Sequence, residues 1–289
     1  MWKKILTISL VLVMVLSLAA CAKEAEEEGE LPSAQEIVDG VIGSLDNIRT
    51  YQFDMDMTMD MAGEAEGEVF EMTMVMDGSG ALDLENRQMR ADITMNMAMP
   101  EEDEVEMEME IYLIGGMMYM MMDVPEMGPM WIKAEMPEGT WEEMTEQMSG
   151  LEAYLGLLEA AEVKVIDSEM IEGVDCYVLQ LTPDVEQLWQ LAMQQADVTE
   201  LEMPAISEEF VKEMFRSFSV KQWVAKDTYF LTKVEINMAM ELTPEAMGFP
   251  EEEGVVTMDI AISLLAYNYN QPVSIVLPPE AEEAVEVTM

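Results

Sequence analysis

The sequence predicts a mainly β (α+β) protein, built as one large curved antiparallel sheet of roughly 10–12 strands with helices covering its concave face. Three observations predict it. Hydrophobicity alternates with period two through four successive segments between residues 50 and 113, the mark of strands with one apolar and one wet face. Short turns rich in Gly or Pro separate these segments, as in an antiparallel meander. No linker-like stretch divides the strands into sets, so residues 34–280 build one large domain around a single core.

The elements follow in order. Ser33 to Leu45 (SAQEIVDGVIGSL) is an expected helix: Ser33 stands three residues ahead of Glu36, as in a capping box. Ile37, Val38, Val41, Ile42 and Leu45 then follow at helical spacing. From Thr50 the period becomes two. Phe53, Met55, Met57, Met59 and Met61 fall on one face; Asp54, Asp56, Thr58 and Asp60 fall on the other. Gly63 to Gly67 is an expected turn, after which Phe70, Met72, Met74 and Met76 alternate with Glu71, Thr73, Val75 and Asp77. Gly78-Ser79-Gly80 is the next expected turn. Met89, Ala91, Ile93, Met95, Met97 and Met99 alternate with Arg90, Asp92, Thr94 and Asn96; Val105, Met107, Met109, Ile111 and Leu113 alternate with glutamates and Tyr112. Gly115-Gly116 leads into a strand from Met117 to Met122.

The middle is expected to be helical from Thr140 to Ala161, from Pro183 to about Ala196 and from Ser207 to Phe215, with a hairpin of Val163–Ile171 and Val174–Thr182 across Glu172-Gly173. Strands return at Ser217–Lys226, Phe230–Leu242 and Val255–Asn268, and Pro272 to Pro279 closes the domain.

Composition excludes several functions. Sixty acidic residues against 13 basic ones give a formal charge of −47. Such a chain has no use for nucleic acid, whose phosphates are neutralised by Lys and Arg, nor for electrostatic docking on an anionic membrane. The absence of His removes Ser-His-Asp and Cys-His catalysis and His-ligated zinc. Half the residues are apolar, too many for a disordered acidic tail.

The N-terminus carries an address. Lys3 and Lys4 precede an apolar run from Ile5 to Leu16, which ends in Leu18-Ala19-Ala20-Cys21; a basic start, a short apolar core and small residues before a cleavage point make a secretory signal peptide. The final four residues resemble the bacterial lipobox, which implies cleavage before Cys21 and a diacylglycerol on its sulfur. Residues 1–20 are therefore expected as a lipoprotein signal, 21–33 as an acidic self-repelling tether, 34–280 as the β domain and 281–289 as an acidic tail. The expected location is extracytoplasmic, on the membrane. Cys176, inside the apolar VDCYVL run, reads as an inert core thiol.

The 34 methionines carry the functional reading. Met is a weak β-former and specifies packing poorly, but it lines adaptable apolar surfaces well. The candidate cavity residues are Met55, Met57, Met59, Phe70, Met72, Met74, Met76, Met95, Met97, Met107, Met109 and Ile111. An apolar ligand such as a lipid or acyl chain is the expected partner, with no cofactor and no catalysis. Two other readings stay open: a filled core in a protein-binding envelope sensor or scaffold, and a soft Met-based copper site. Asp54, Asp56 and Asp60 do not make a calcium loop, because Met59 occupies the turn position and Ala65 the twelfth. No two glutamates are singled out as a glycosidase pair, and Gly78-Ser79-Gly80 is not a nucleophile elbow.

The lipobox, the acidic tether, the helix before TYQFDMDMTMDM and the closing YNYNQPVSIVLPPEA together resemble the LolA-like and LppX/LprG-like bacterial lipoproteins. The resemblance implies a half-open barrel whose helices cap a hydrophobic cavity, and a role in carrying lipids or lipoproteins or sensing envelope state. The implied cover here is Trp141 to Leu158 and Leu188 to Met193.

Overall fold

The computed structural model describes residues 31–65, 68–100, 104–124, 128–137, 139–141, 161–185, 187, 213–243 and 254–287. The chain divides into two compact units, Met1–Ser33 and Ala34–Met289, and every described strand belongs to the second. The expected signal peptide, Cys21 and most of the expected tether lie outside the described residues, as does most of each helix expected in the middle of the chain.

Helix α1, Ala34–Ser44, buries Ile37, Val38 and Val41, the positions its period predicts. A short 3-10 turn, Leu45–Asn47, delivers the chain to two 16-residue strands, β1 (Thr50–Ala65) and β2 (Glu68–Asp83). There follow β3 (Gln88–Ala98), β4 (Val105–Ile114), β5 (Met117–Val124), β6 (Gly128–Glu135), β7 (Ala161–Ile171) and β8 (Val174–Pro183). The set ends with β9 (Phe215–Ala225), β10 (Leu231–Leu242), β11 (Val256–Tyr267) and the two-residue β12 (Val285–Glu286).

All twelve form one open sheet in the order β12-β6-β5-β4-β3-β2-β1-β11-β10-β9-β8-β7. The fold is thus two meanders joined where β1 pairs with β11, and the first strand lies at the centre of the sheet.

Edges remain at β7 and β12. The β7 edge carries a register shift between Val165 and Asp167 and a run of charged side chains, features that discourage pairing with another chain. Its turn, Glu172-Gly173, has φ of 48° and 86°, the paired positive angles of a type I′ hairpin. The other edge is closed by the chain end. Val285 and Glu286 pair with Ile132 and Lys133 in parallel, so the sheet is mixed and not purely antiparallel as expected.

Two turn expectations are corrected. β2 runs straight through Gly78-Ser79-Gly80, each paired on both sides, and the chain reverses only at residues 84–87. Gly80 is glycine because of packing: a Cβ there would lie 2.4 Å from the Arg90 carbonyl oxygen and 2.6 Å from the Phe53 ring. The turn expected across Gly63 to Gly67 is tighter, since pairing continues to Ala65 and Glu68. β6 was not expected at all; Pro129 and the non-alternating GPMWIKAE hide it from any period-two reading.

In antiparallel strands, residues directly opposite one another share a face. On one face, α1 seats Ile37 and Val41 on Leu179, Leu181, Val220 and Val224. On the same face, at the other wing, Trp141 closes over Leu82, Met89, Ala91 and Leu113. A smaller cluster, Cys176, Val178 and Trp223, packs on the reverse side of β8 and β9.

Candidate functional site

The register brings the twelve candidate residues together on one face. Met57, Met76, Met95 and Met107 stand opposite one another across β1 to β4. Beside them run Met59, Met74 and Met97, and then Met61 and Met72. In the other direction Met55 faces Gly78, and Ile93, Met109 and Met122 continue the rank. Ile111 lies between Ala91 and Met120, while Phe70 covers Gly63 at the far end of the β1–β2 hairpin.

Every one of the twelve is half-buried. Leu82, Met89 and Leu113, further along the same face, are sealed under Trp141 at 1%, 7% and 1% exposure. The face is therefore apolar throughout but densely packed only in part. Sequence reasoning missed Met238, Met240 and Met258, which extend the same surface: Met61 pairs with Met258 and Met258 with Met240, while Ile260 pairs with Met238. Their inclusion depends on β1 pairing with β11, a contact between segments about 200 residues apart that no local period reveals. Of the expected covering segments, Trp141 is described and buried; Leu188 to Met193 and the rest of the first lie outside the described residues.

The opposite face is acidic where β1 to β4 cross it. Asp56 pairs with Asp77, Asp54 with Ser79 and Asp92 with Glu110. Two concave volumes among the described residues open on this side. One, of about 720 Å³, is lined by Asp54, Asp56, Asp77, Asp92 and Lys233 beneath Met170 and Ile171 of the β7–β8 tip. The other, of about 750 Å³, adjoins it along Asp54 and Glu172 and reaches Phe230 and Tyr269. Lys233 is already engaged, bonded to Glu235 at 2.6 Å and lying 4.9 Å from the Trp223 ring centre. Among the described residues no three acidic or Cys side chains are placed to share a metal ion.

The closing YNYN segment proves to be a clasp. Asn268 and Asn270 hold φ of 54° and 58°, the left-handed region that Asn tolerates better than most residues. Asn270 accepts from the Arg49 backbone N–H at 2.8 Å and donates to the Asn47 carbonyl at 3.0 Å. The Tyr269 hydroxyl donates to the Leu231 carbonyl at 2.6 Å, its ring stacked on Tyr51 and tilted against Phe230. Burial pushes the Tyr269 phenol well above its usual range. The segment thus fastens the end of β11 to the start of β1 and to β10, and its side chains are consumed in doing so.

Burial moves two titratable side chains away from neutral pH. Cys176 is fully buried, its Sγ 3.6 Å from the Thr232 hydroxyl, and burial pushes the thiol up, away from the reactive thiolate. Tyr112, 2% exposed, donates to Glu110 at 2.8 Å under the Arg90 guanidinium; burial first, then that bond, push its phenol up to about 12.

Similar solved structures include LprF from Mycobacterium bovis, at 13% identity and a TM-score of 0.41 over 85% of this chain and 96% of that one. The lipoprotein LppX of Mycobacterium tuberculosis matches at 11% identity and 0.40, over 84% and 98%. A LolA superfamily protein from Nitrosomonas europaea matches at 12% and 0.21, over 86% and 96%. At these values the likenesses extend no function to this chain. No curated protein matches it in sequence. Residues 33–286, which take in the whole described sheet, match a family model, and the chain belongs to that family of unknown function, DUF6612.

Proposed function

We propose that the protein is an exported lipoprotein, held at the membrane through a lipidated Cys21, that binds or carries an apolar ligand on its methionine face and performs no catalysis. The carrying observation is the continuous, half-buried rank of Met57, Met76, Met95 and Met107 with its neighbours. A core that served stability alone gains most from tight packing by residues with well-defined rotamers. Unbranched thioethers with three rotatable bonds instead accommodate varied apolar shapes. An acyl chain that buries ten methylenes there gains about 8 kcal/mol before ordering costs, ample for reversible capture. The acidic reverse face keeps the same strands soluble and discourages edge pairing. The extracytoplasmic address rests on Lys3-Lys4, the apolar run and Cys21.

Mass spectrometry of organic extracts tests the binding. The wild-type chain should bring down lipid that the Met74→Asp/Met109→Asp variant loses; equal yields, or none from wild type, would refute it. Cys21→Ser should release the protein from membranes, and continued membrane association would refute the anchor.

A further inference from the structure

The methionine face has a second chemical property, which does not depend on its shape. Thioether sulfur is a nucleophile toward neutral two-electron oxidants, and this molecule concentrates it. Met57, Met59, Met74, Met76, Met95 and Met107 form one contiguous patch over β1 to β4, every one of them half-exposed. Two common competitors for such oxidants are out of play: the sequence has no His, and Cys176 is sealed at 0% exposure beside Thr232. The strong negative charge repels anionic oxidants but leaves uncharged hypochlorous acid and hydrogen peroxide free to approach.

We propose that this patch is a site of reversible S-oxidation, which takes oxygen from a neutral two-electron oxidant and, in doing so, loses its hold on apolar ligands. In the step, a methionine sulfur lone pair attacks the oxidant oxygen and a sulfur–oxygen bond forms as the oxygen–chlorine or oxygen–oxygen bond breaks. Sulfur is oxidised, and the departing group leaves reduced, as chloride with a proton or as water. A methionine sulfoxide reductase reverses it, two thiols becoming a disulfide and the sulfoxide oxygen leaving as water.

The consequence follows from the register. Met57 stands directly opposite Met76, Met76 opposite Met95 and Met59 opposite Met74. A sulfoxide on any one sets a strong acceptor into the apolar rank, with only thioethers and the side chains of Ile260 and Ile262 opposite it and no donor among them. An apolar chain laid over it leaves that acceptor unsatisfied, at a cost that corresponds to about a tenfold or greater loss of affinity. The loss of grip rests on the function proposed above; the oxidation does not.

The structure supplies internal controls. Met170 is more exposed, at 64%, and lies on the acidic side. Met89 and Met121 are buried at 7% and 8%.

The test uses the purified full chain, titrated with hypochlorous acid, with sulfoxides mapped by peptide mass spectrometry, the fold followed by far-UV circular dichroism, and binding read with the neutral fluorescent probe N-phenyl-1-naphthylamine. The six patch residues should oxidise well ahead of Met89 and Met121 while the sheet signal persists. Probe affinity should fall about tenfold or more, and a sulfoxide reductase with dithiothreitol should restore it. With Leu at all six patch positions, which conserves volume, the probe affinity of the variant, whatever its starting value, should fall far less on oxidation than that of wild type. The variant Met170→Leu should remain as sensitive as wild type. Patch sulfoxides that appear no earlier than those of Met89 and Met121 would overturn the oxidation site. Patch oxidation with unchanged probe affinity would overturn the coupling. A reduced chain that binds no probe would instead count against the proposed function, leaving the sulfoxide map to decide the oxidation by itself.

Discussion

Gly78 and Gly80 lie two residues apart on the same face of β2, yet replacing each by Ala should change stability in opposite directions. Neither has a positive φ, so Ala fits the backbone at both, and the lost freedom of the unfolded chain favours Ala by about 0.5–1 kcal/mol. At Gly78 the new Cβ meets the flexible end of Met55 at 3.4 Å and other atoms at 3.8 Å, ordinary van der Waals contact. At Gly80 it meets the Arg90 carbonyl oxygen at 2.4 Å and the Phe53 ring at 2.6 and 2.7 Å. The ring can turn, but the carbonyl belongs to the backbone of β3, so relief must move a central strand. That places the cost near the top of the overpacking range, about 2–3 kcal/mol. The net expectation is a loss of about 1–2.5 kcal/mol for Gly80→Ala and a gain of about 0.5–1 kcal/mol for Gly78→Ala. Thermal unfolding followed by far-UV circular dichroism should show Tm falling about 2–10 °C for the first and rising about 1–4 °C for the second. Shifts of the same sign and size would refute the reasoning, because a glycine-rich turn at this point predicts that both substitutions behave alike.

Asn270→Ala should lower stability by about 2 kcal/mol, through two lost hydrogen bonds and a left-handed φ of 58°. Asn270→Gly should recover the conformational part, and urea midpoints of the two variants measure the difference. Tyr112 bears on alkaline stability. Its phenol is raised from the ordinary 10 to about 12, so its contribution is complete below about pH 10 and is lost as pH rises through about 12. Tyr112→Phe should flatten the fall in urea midpoint across that window; an unchanged slope excludes Tyr112 as its source. Cys176 should resist maleimide in the native protein at pH 8 and react on unfolding, as its burial and raised pKa require; fast native labelling would contradict that burial.

Much of the architecture was legible from local pattern. The alternation from Phe53 to Leu113 assigns each side chain to a face wherever the strand runs without interruption, and the structure keeps those assignments through β1 to β4. The β7–β8 hairpin was legible for the same reason, with Glu172-Gly173 supplying its turn. Gly78-Ser79-Gly80 misled, because glycine marks either a turn or a close approach, and only Phe53 lying across Gly80 distinguishes them. β6 was invisible because a short edge-side strand with Pro129 has no clean period. The YNYN segment read as a signature of kinship, and in the fold its side chains brace β11 against β1 and β10.

The sequence by itself determined which residues face together within a strand, because the period of two is a property of the extended backbone and needs no partner. It determined too that acid and methionine would part to opposite sides of β1 to β4. Only the tertiary structure decided that these faces become one surface. Pairing of β1 with β11 carries the methionine ranks on to Met258, Met240 and Met238, while α1 and Trp141 seal the two wings. Strand order, and with it the extent of the apolar face, follows from which long-range pairings bury the most surface, and that is a competition among distant segments that no local window contains.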